Sequence, residues 1–527
     1  MCFSQKACTT NEIDLLGNPG WTTKRGILVT STISKAPRTH KTGTERTKLA
    51  SSPKTPLKPL DPHDEHEHPF SAIPQSERRG PVTMGLLWIT MVTAFPAVLV
   101  GFEWCKQGFT LTQVLLCTVV SCAILMAYAI PASQLGAVSG LSYAALSRSI
   151  FGRWGSKIVA FNLVMIFVAW YGLAALFLAD GLEGLFHWKA PLMVLSVAFA
   201  FLMAANNFFG FKGVANFARF FAAPVLIVWV TYTCLKTVPA CPPSVFTDVT
   251  HKSFACALTT ISTFIIGFAV WGNEADYWRF SKPKVSNCAI PLIVALGIGQ
   301  VIFPCTGFIL AKLTGITDYG AATSYMNDYS FGGLAILGAI VIGASYFAAN
   351  DSNLFGSVSA CENLKRWNHK GWVAVLATLG AAMAAWLSIS GAAKSLESIA
   401  SLNCVIVPTP TLVVLAEWFL MRKVFSRNPD CFGRVPELDE LPRFKWAATI
   451  AMFSGITVGV LTSGAIPGTE SMHVGICALQ AWATAFFVYI PLRILEYKRE
   501  SLTRAVALEA LVSIPCTVEP SEIVLKR

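Results

Sequence analysis

From about residue 82 onward the chain alternates long apolar runs with short polar links. Each run is roughly 18 to 24 residues, and an α-helix of that length crosses a hydrocarbon core about 30 Å thick. Lipid offers no water to the peptide groups, so an unbroken apolar run must satisfy its own backbone hydrogen bonds, which it does as a helix. The runs fall at 82–102, 110–131, 157–180, 191–209, 216–236, 254–275, 288–311, 332–352, 371–391, 396–421, 445–463 and 471–492. The expected fold class is an all-α polytopic membrane protein with about 12 transmembrane helices.

Composition narrows the function classes. Of the 527 residues 54% are hydrophobic and 13% charged, where soluble domains carry about 25% charged residues. This excludes a conventional enzyme of several soluble domains. A net charge of +11 on a soluble surface would point to nucleic acid, but here the basic residues lie in the links between runs. With both termini placed in the cytoplasm, the cytoplasmic links hold Arg148 and Arg153, Lys212 and Arg219, Arg279, Lys282 and Lys284, Lys365, Arg366 and Lys370, and the cluster from Arg422 to Lys445. The opposite links hold little beyond Lys106, Lys189, Lys236, Lys252, Lys312 and Lys394. That bias is the positive-inside pattern, and it predicts a multi-pass plasma-membrane protein whose partner is the bilayer, with no nucleic acid. The cysteines, among them Cys117, Cys122, Cys256, Cys305, Cys404 and Cys477, stand singly in apolar runs without a CxxC pair and read as small buried hydrophobes.

Three regions follow. Residues 1–72 are rich in Ser, Thr, Pro, Lys and Arg, and read as a disordered cytoplasmic tail. Its end, DPHDEHEHPF, carries His63, His66 and His68 among carboxylates; a solvated linker is the favoured reading, a divalent metal the alternative. Residues 73–495 hold the membrane domain. Residues 496–527 form a cytoplasmic C-terminal tail, where Leu502, Ala505, Leu508 and Leu511 allow a surface helix as readily as disorder.

With short links, chemistry is to be sought among polar groups at membrane depth. The first run holds Thr90, Thr93 and Pro96 near its middle; proline lacks an amide donor and clashes with the preceding turn, so carbonyls near Val92 and Thr93 should be freed. Such breaks bind ions and polar substrates in transporters, and a plain kink is the alternative. The sixth run, TFIIGFAVWGNEADYWRF, is weakened by Gly267, Gly272 and Asn273 and followed at once by Glu274 and Asp276. Asp276 can pair with Arg279 across a helix end. Glu274 has no partner at helical spacing, and a carboxyl withdrawn from water favours its protonated form, so it is a candidate proton carrier. In the eighth run Asn350, Asp351 and Asn353 cluster near the inner end, where amides either read a heteroaromatic ring or cap the helix. Aromatics at helical spacing, Phe167, Trp170 and Tyr171 in the third run and Phe264, Phe268 and Trp271 in the sixth, are ordinary packing or the two walls of a slot for a flat ligand. His187, His251, His369 and His473 fall in links or at run ends, so no metal set or nucleophile–base pair stands at membrane depth, and neither a catalytic residue nor a cofactor is expected.

An ordered set of motifs now carries a resemblance: IPQSERRG (73–80), GLSYAALSRSIFGRWGS (140–156), AWYG (169–172), EADYWRF (274–280), AANDSNLF (348–355) and IVPTPTLVVLAEWFLMRK (406–423). The chain resembles the nucleobase:cation symporter-1 family of purine, cytosine, hydantoin and vitamin permeases from about residue 73 to 495. The resemblance implies a LeuT-like fold in which spans 1–5 and 6–10 form inverted repeats, spans 1 and 6 are broken at midplane, and two helices are added. The breaks would lie at Thr93 to Pro96 and near Gly267. It further implies that Trp170 stacks on the substrate ring. A sixth-span aromatic would close the other face; the matching position is Gly267, so Phe268 or Phe264 would substitute. Relatives often carry an amide where this chain has Ala174. Sodium-coupled relatives place two hydroxyls where it has Ala348 and Ala349, and hard cations need oxygen ligands, so sodium is not expected to drive transport.

The expected function is a secondary-active uptake permease for a nucleobase such as cytosine or a purine, driven by protons. Trp170, Phe167, Phe264 and Phe268 would hold the ring, Asn350 and Asn353 would hydrogen-bond it, and Glu274 and Asp276 would serve coupling. Spans 1 and 6 would rock against spans 3, 4, 8 and 9. A vitamin-type heterocycle (pyridoxine or thiamine) or allantoin or hydantoin is the alternative substrate. A non-transporting sensor and a membrane enzyme are the alternatives in class.

Overall fold

The computed structural model describes residues 70–316, 319–390, 392–424 and 435–512. Most of the N-terminal tail, with His63, His66 and His68, and residues 513–527 of the C-terminal tail lie outside the described residues. Among the described residues the regular structure is helical throughout, apart from one backbone bridge between Arg79 and Ser281.

Among the described residues nine helices are long and apolar enough to cross a membrane, and the bent pair Pro81–Val92 and Pro96–Lys106 makes a tenth span. Two predicted runs share one stretch of 49 residues, Leu192–Ala240. A straight helix of that length would reach about 70 Å, more than twice a hydrocarbon core. The stretch is interrupted instead by a tight 3-10 turn, Ala205–Phe209, and by Gly210 at φ +59°, leaving the fourth span at Leu192–Met203 and the fifth as the continuous run from Gly210 through a π turn at Ala218–Ala222 to Ala240. The eleventh run is the shorter helix Trp446–Thr462. The remaining spans are Leu111–Ser139, Tyr143–Phe186, Phe254–Trp278, Val285–Thr314, Ala335–Cys361, His369–Ser390 and Leu396–Phe419, followed by the helix Cys477–Val512.

Three boundaries differ from the sequence expectation, each for a physical reason. The third helix begins at Tyr143, so the segment expected as a link is helical on both sides of Gly152, which stands at φ 79° and ψ −176°. Backbone groups freed there pair with the approach to the eleventh span: Arg153 N–H donates to Pro442 O at 2.9 Å and Lys445 N–H to Phe151 O at 3.1 Å. The eighth helix continues to Cys361 because its polar stretch is buried against protein, where polarity does not end a helix. The last helix runs unbroken to Val512, so the periodicity around Leu502 and Leu511 continues the twelfth span.

Packing follows the rules of a membrane bundle, where small residues let backbones approach. Gly101 of the first span and Gly307 of the seventh meet so closely that a Cβ on Gly307 would lie 1.9 Å from the Val98 carbonyl oxygen. The third, eighth and ninth spans are joined in the same way. The Tyr171 ring lies against Gly380, Tyr171 OH donates to the Ala200 carbonyl, and its own carbonyl accepts from Asn350 Nδ2 at 2.9 Å. The first and sixth spans form a second unit: Trp88 touches Trp271, Tyr277 and Trp278 at 6.5, 6.0 and 5.4 Å between ring centres, and Arg79 N–H donates to Phe280 O at 2.6 Å.

Candidate binding site at the two broken spans

The first break lies where Pro96 required it. The helix stops at Val92, Thr93 takes φ −122° and ψ 75°, and a new helix starts with Pro96 in its first turn, the two halves meeting at 42°. The freed Val92 carbonyl accepts from Gln300 Nε2 on the seventh span at 2.5 Å, and Phe95 N–H donates to Ser345 Oγ on the eighth at 2.9 Å.

The sixth span breaks at Val270–Asn273, three residues beyond the Gly267 that the resemblance points to. Phe254–Ala269 is helical, Val270 is extended, Gly272 stands at φ 72°, and Glu274–Trp278 resumes the helix. Gly267 is instead a packing glycine: a Cβ there would lie 2.1 Å from the Ala400 carbonyl oxygen of the tenth span. The open carbonyls of Gly267 and Val270 both accept from Asn403 Nδ2, at 2.6 and 3.0 Å, and the Gly272 carbonyl accepts from Thr411 Oγ1.

Glu274, without a partner in its own helical register, finds several in space. Its Oε1 accepts from the N–H groups of Trp271 and Gly272 at 3.3 and 3.1 Å, and its Oε2 from Tyr128 OH on the second span at 2.8 Å. A carboxyl bonded back onto the amides of its own break closes that break as a cap closes a helix start. Asp276 is buried beside it, accepting from Tyr143 N–H and Asn273 Nδ2, both at 2.8 Å. The Tyr143 bond puts a carboxylate at the start of the third helix, where the peptide dipoles favour it.

Between the breaks lies a cavity lined by residues of the first, third, sixth, eighth and tenth spans. The third span contributes Phe167, Trp170, Leu173, Ala174 and Phe177 to its wall, the sixth Phe268, Val270 and Trp271, and the eighth Tyr346, Ala349 and Asn353. Met91, Ala94 and Pro96 come from the first break, and Leu396 and Asn403 from the tenth span. Among the described residues no Asp, Glu, Lys, Arg or His is in this wall.

Of the expected ring-holding residues, Phe167, Trp170 and Phe268 meet here. Phe264 does not: it lies behind, stacked on Phe268 at 5.6 Å and edge-on to Trp104 at 5.9 Å, and Trp271 takes the place on the wall. Trp170 and Phe268 stand edge to face at 5.6 Å and 88°, so they bound the cavity as a corner rather than a parallel slot, which would need faces about 7 Å apart. Asn350 and Asn353 both lie inside the eighth helix, which removes the helix-cap alternative. Asn353 lines the cavity; Asn350 lies behind it, accepting from Asn353 Nδ2 at 3.3 Å while donating to Tyr171 O. Ala349 lines the cavity, whereas Ala348 packs on Ala222 and Ala344. Sequence reasoning passed over Asn403, whose signal was an amide inside an apolar run.

A helical bundle built around two interrupted spans, with a buried cavity between them, is the architecture of a secondary transporter. Residues 72–493 match the family described as permeases for cytosine/purines, uracil, thiamine and allantoin, and the chain belongs to that family. It is 22% identical over 410 residues to the cytosine permeases of Escherichia coli strain K12 and of Escherichia coli O157:H7, covering 75% of this chain and 89% of each relative. Among solved structures it is similar to Mhp1, a nucleobase-cation-symport-1 family transporter, in a closed conformation with bromovinylhydantoin bound: TM-score 0.61, 19% identity, 84% of this chain and 96% of that one. A Na+-coupled sialic acid symporter in a substrate-bound outward-open state follows at TM-score 0.53 and 11% identity, covering 80% and 90%. The fold is therefore the LeuT-like inverted repeat with added helices, in a multi-pass membrane permease.

Proposed function

We propose that the protein is a secondary-active permease of the plasma membrane, with both termini cytoplasmic, that imports a neutral nucleobase such as cytosine or a purine together with protons. The observation that carries this reading is the cavity: aromatic faces, two amides and, among the described residues, no charged side chain. A flat neutral ring gains contact with Trp170 and Phe268 and leaves no charge unpaired. A cation such as thiamine would be buried without a counter-ion, at considerable cost. A neutral hydantoin-like or pyridoxine-like ring is the second reading, since the same wall accepts it.

Proton coupling is supported by Glu274, a carboxyl whose partners are hydroxyl and amide groups and whose anchoring N–H groups belong to the cavity-lining segment at Trp271. Sodium coupling is disfavoured because Ala348 and Ala349 offer methyl groups where hydroxyl oxygens would be needed, and Ser345 Oγ already accepts from Phe95 N–H. The rocking unit is the first and sixth spans, joined through Trp88 and the Arg79–Ser281 bridge. The third, eighth and ninth spans, joined through Tyr171, are the frame. Residues 73–495 form the transporting domain.

Uptake of labelled cytosine and hypoxanthine into cells lacking their own permeases, with unlabelled bases, nucleosides and vitamins as competitors, tests the reading. Bases are expected to compete and thiamine is not. Trp170→Ala should weaken binding by about 1–3 kcal/mol, the worth of one ring stack, with expression intact; uptake equal to wild type would remove the stacking role. Binding without accumulation would make the protein a sensor.

A further inference from the structure

We infer that Asn403 and Trp271 form the polar end of the cavity and select rings that present an N–H donor beside a hydrogen-bond acceptor, the edge of a lactam. The inference rests on the reading of this cavity as the substrate site, and it names the chemical edge that the site reads.

Asn403 is 2% exposed, and both bonds of its Nδ2 go to the open carbonyls of Gly267 and Val270. Turning the amide over would put an oxygen against two carbonyl oxygens, so its orientation is fixed by chemistry. Its Oδ1 is then an acceptor, buried and without a partner among the described residues. Trp271 is 5% exposed, and its indole Nε1–H is likewise a buried donor without a partner. The ring is held by Phe167 at 5.4 Å and Tyr277 at 5.8 Å.

Both residues line the same cavity, so a side chain with an unpaired acceptor and a side chain with an unpaired donor, from two different spans, border a single space. Buried polar groups are almost always paired, and each one left open costs about 1–3 kcal/mol. A ring that brings a donor to Asn403 Oδ1 and an acceptor to Trp271 Nε1–H satisfies both at once. Ala174 gives the cavity only a methyl from the third span, and Asn403 supplies an acceptor from the tenth. The unpaired groups are neutral, so the edge they read is neutral as well.

Equilibrium binding to the purified full chain in lipid nanodiscs tests this, with uracil, hypoxanthine and cytosine each measured against derivatives N-methylated at the ring N–H beside the carbonyl. Wild type should prefer the parent base by roughly 5- to 150-fold, the loss of one buried bond. In Asn403→Ala that ratio should fall to near one. Trp271→Phe keeps the ring and removes only the N–H, and should weaken parent and methylated bases alike, about three- to tenfold. An unchanged ratio in folded Asn403→Ala, or wild-type affinity in Trp271→Phe, overturns the inference while leaving the substrate reading standing. Should Asn403→Ala fail to fold, the Trp271→Phe result decides alone. A wild-type chain that binds no flat heterocycle fells the cavity reading, and the inference with it.

Discussion

The first and sixth spans are broken at corresponding places in the two repeats, and the two breaks are closed with different chemistry. The first is closed by neutral groups from neighbouring spans, Gln300 Nε2 on the Val92 carbonyl and Ser345 Oγ on the Phe95 N–H. The sixth is closed by Asn403 from the tenth span and by Glu274, a carboxyl folded back onto the amides of its own break. Proline opens the first, and a glycine at positive φ opens the second. Both border the cavity and both are closed by an amide whose oxygen is buried and unpaired, Gln300 Oε1 at the first and Asn403 Oδ1 at the sixth, but among the described residues only the sixth is also closed by an ionisable group. One architectural device thus serves as a neutral hinge in one repeat and, in the reading proposed above, as the site of coupling and selection in the other.

That contrast can be broken most severely at Gly272. Its φ of 72° is unfavourable for any residue with a Cβ, and the added atom would lie 2.2 Å from Val407 Cγ1. Gly272→Ala should cost roughly 2–5 kcal/mol from backbone and overpacking together, read as loss of folded protein in a thermal unfolding assay. Next in size is Glu274→Gln, which keeps an acceptor for the break amides and removes the proton. Accumulation should collapse to equilibration while exchange of internal for external substrate persists; concentrative uptake in this variant would remove Glu274 from coupling. The smallest effect belongs to the first break. Gln300→Leu leaves the Val92 carbonyl open and should cost about 1–3 kcal/mol of stability, with pH dependence and base selectivity unchanged. A shift in selectivity there would erase the distinction between the breaks.

Much of this architecture was legible in the sequence because lipid imposes a length on every span, and Pro96 removes an amide donor near the middle of the first. The Thr93–Pro96 break follows from such a local signal, whereas the meeting of Trp170 with Phe268 is an expectation of the family resemblance. Gly267 misled because glycine serves two needs, backbone freedom and close approach; here it serves the second against Ala400, while Gly272 serves the first. Phe264, Phe268 and Trp271 lie four and three residues apart, so periodicity placed them on one stripe, but the break after Ala269 turns Trp271 to the cavity and leaves Phe264 behind. The eighth helix outran its apolar run because Asn350, Asp351 and Asn353 face protein. Asn403 and the Tyr128–Glu274 bond join residues more than a hundred positions apart, which no local pattern can reveal.

The most direct test is accumulation of labelled substrate by the purified protein in sealed liposomes with one gradient imposed at a time. With sodium absent and the exterior one pH unit more acidic, each proton carried supplies about 1.4 kcal/mol, so symport of one proton should concentrate substrate about tenfold inside. A protonophore should abolish that accumulation. Accumulation driven by a sodium gradient at equal pH, and none driven by the pH gradient alone, would contradict the account.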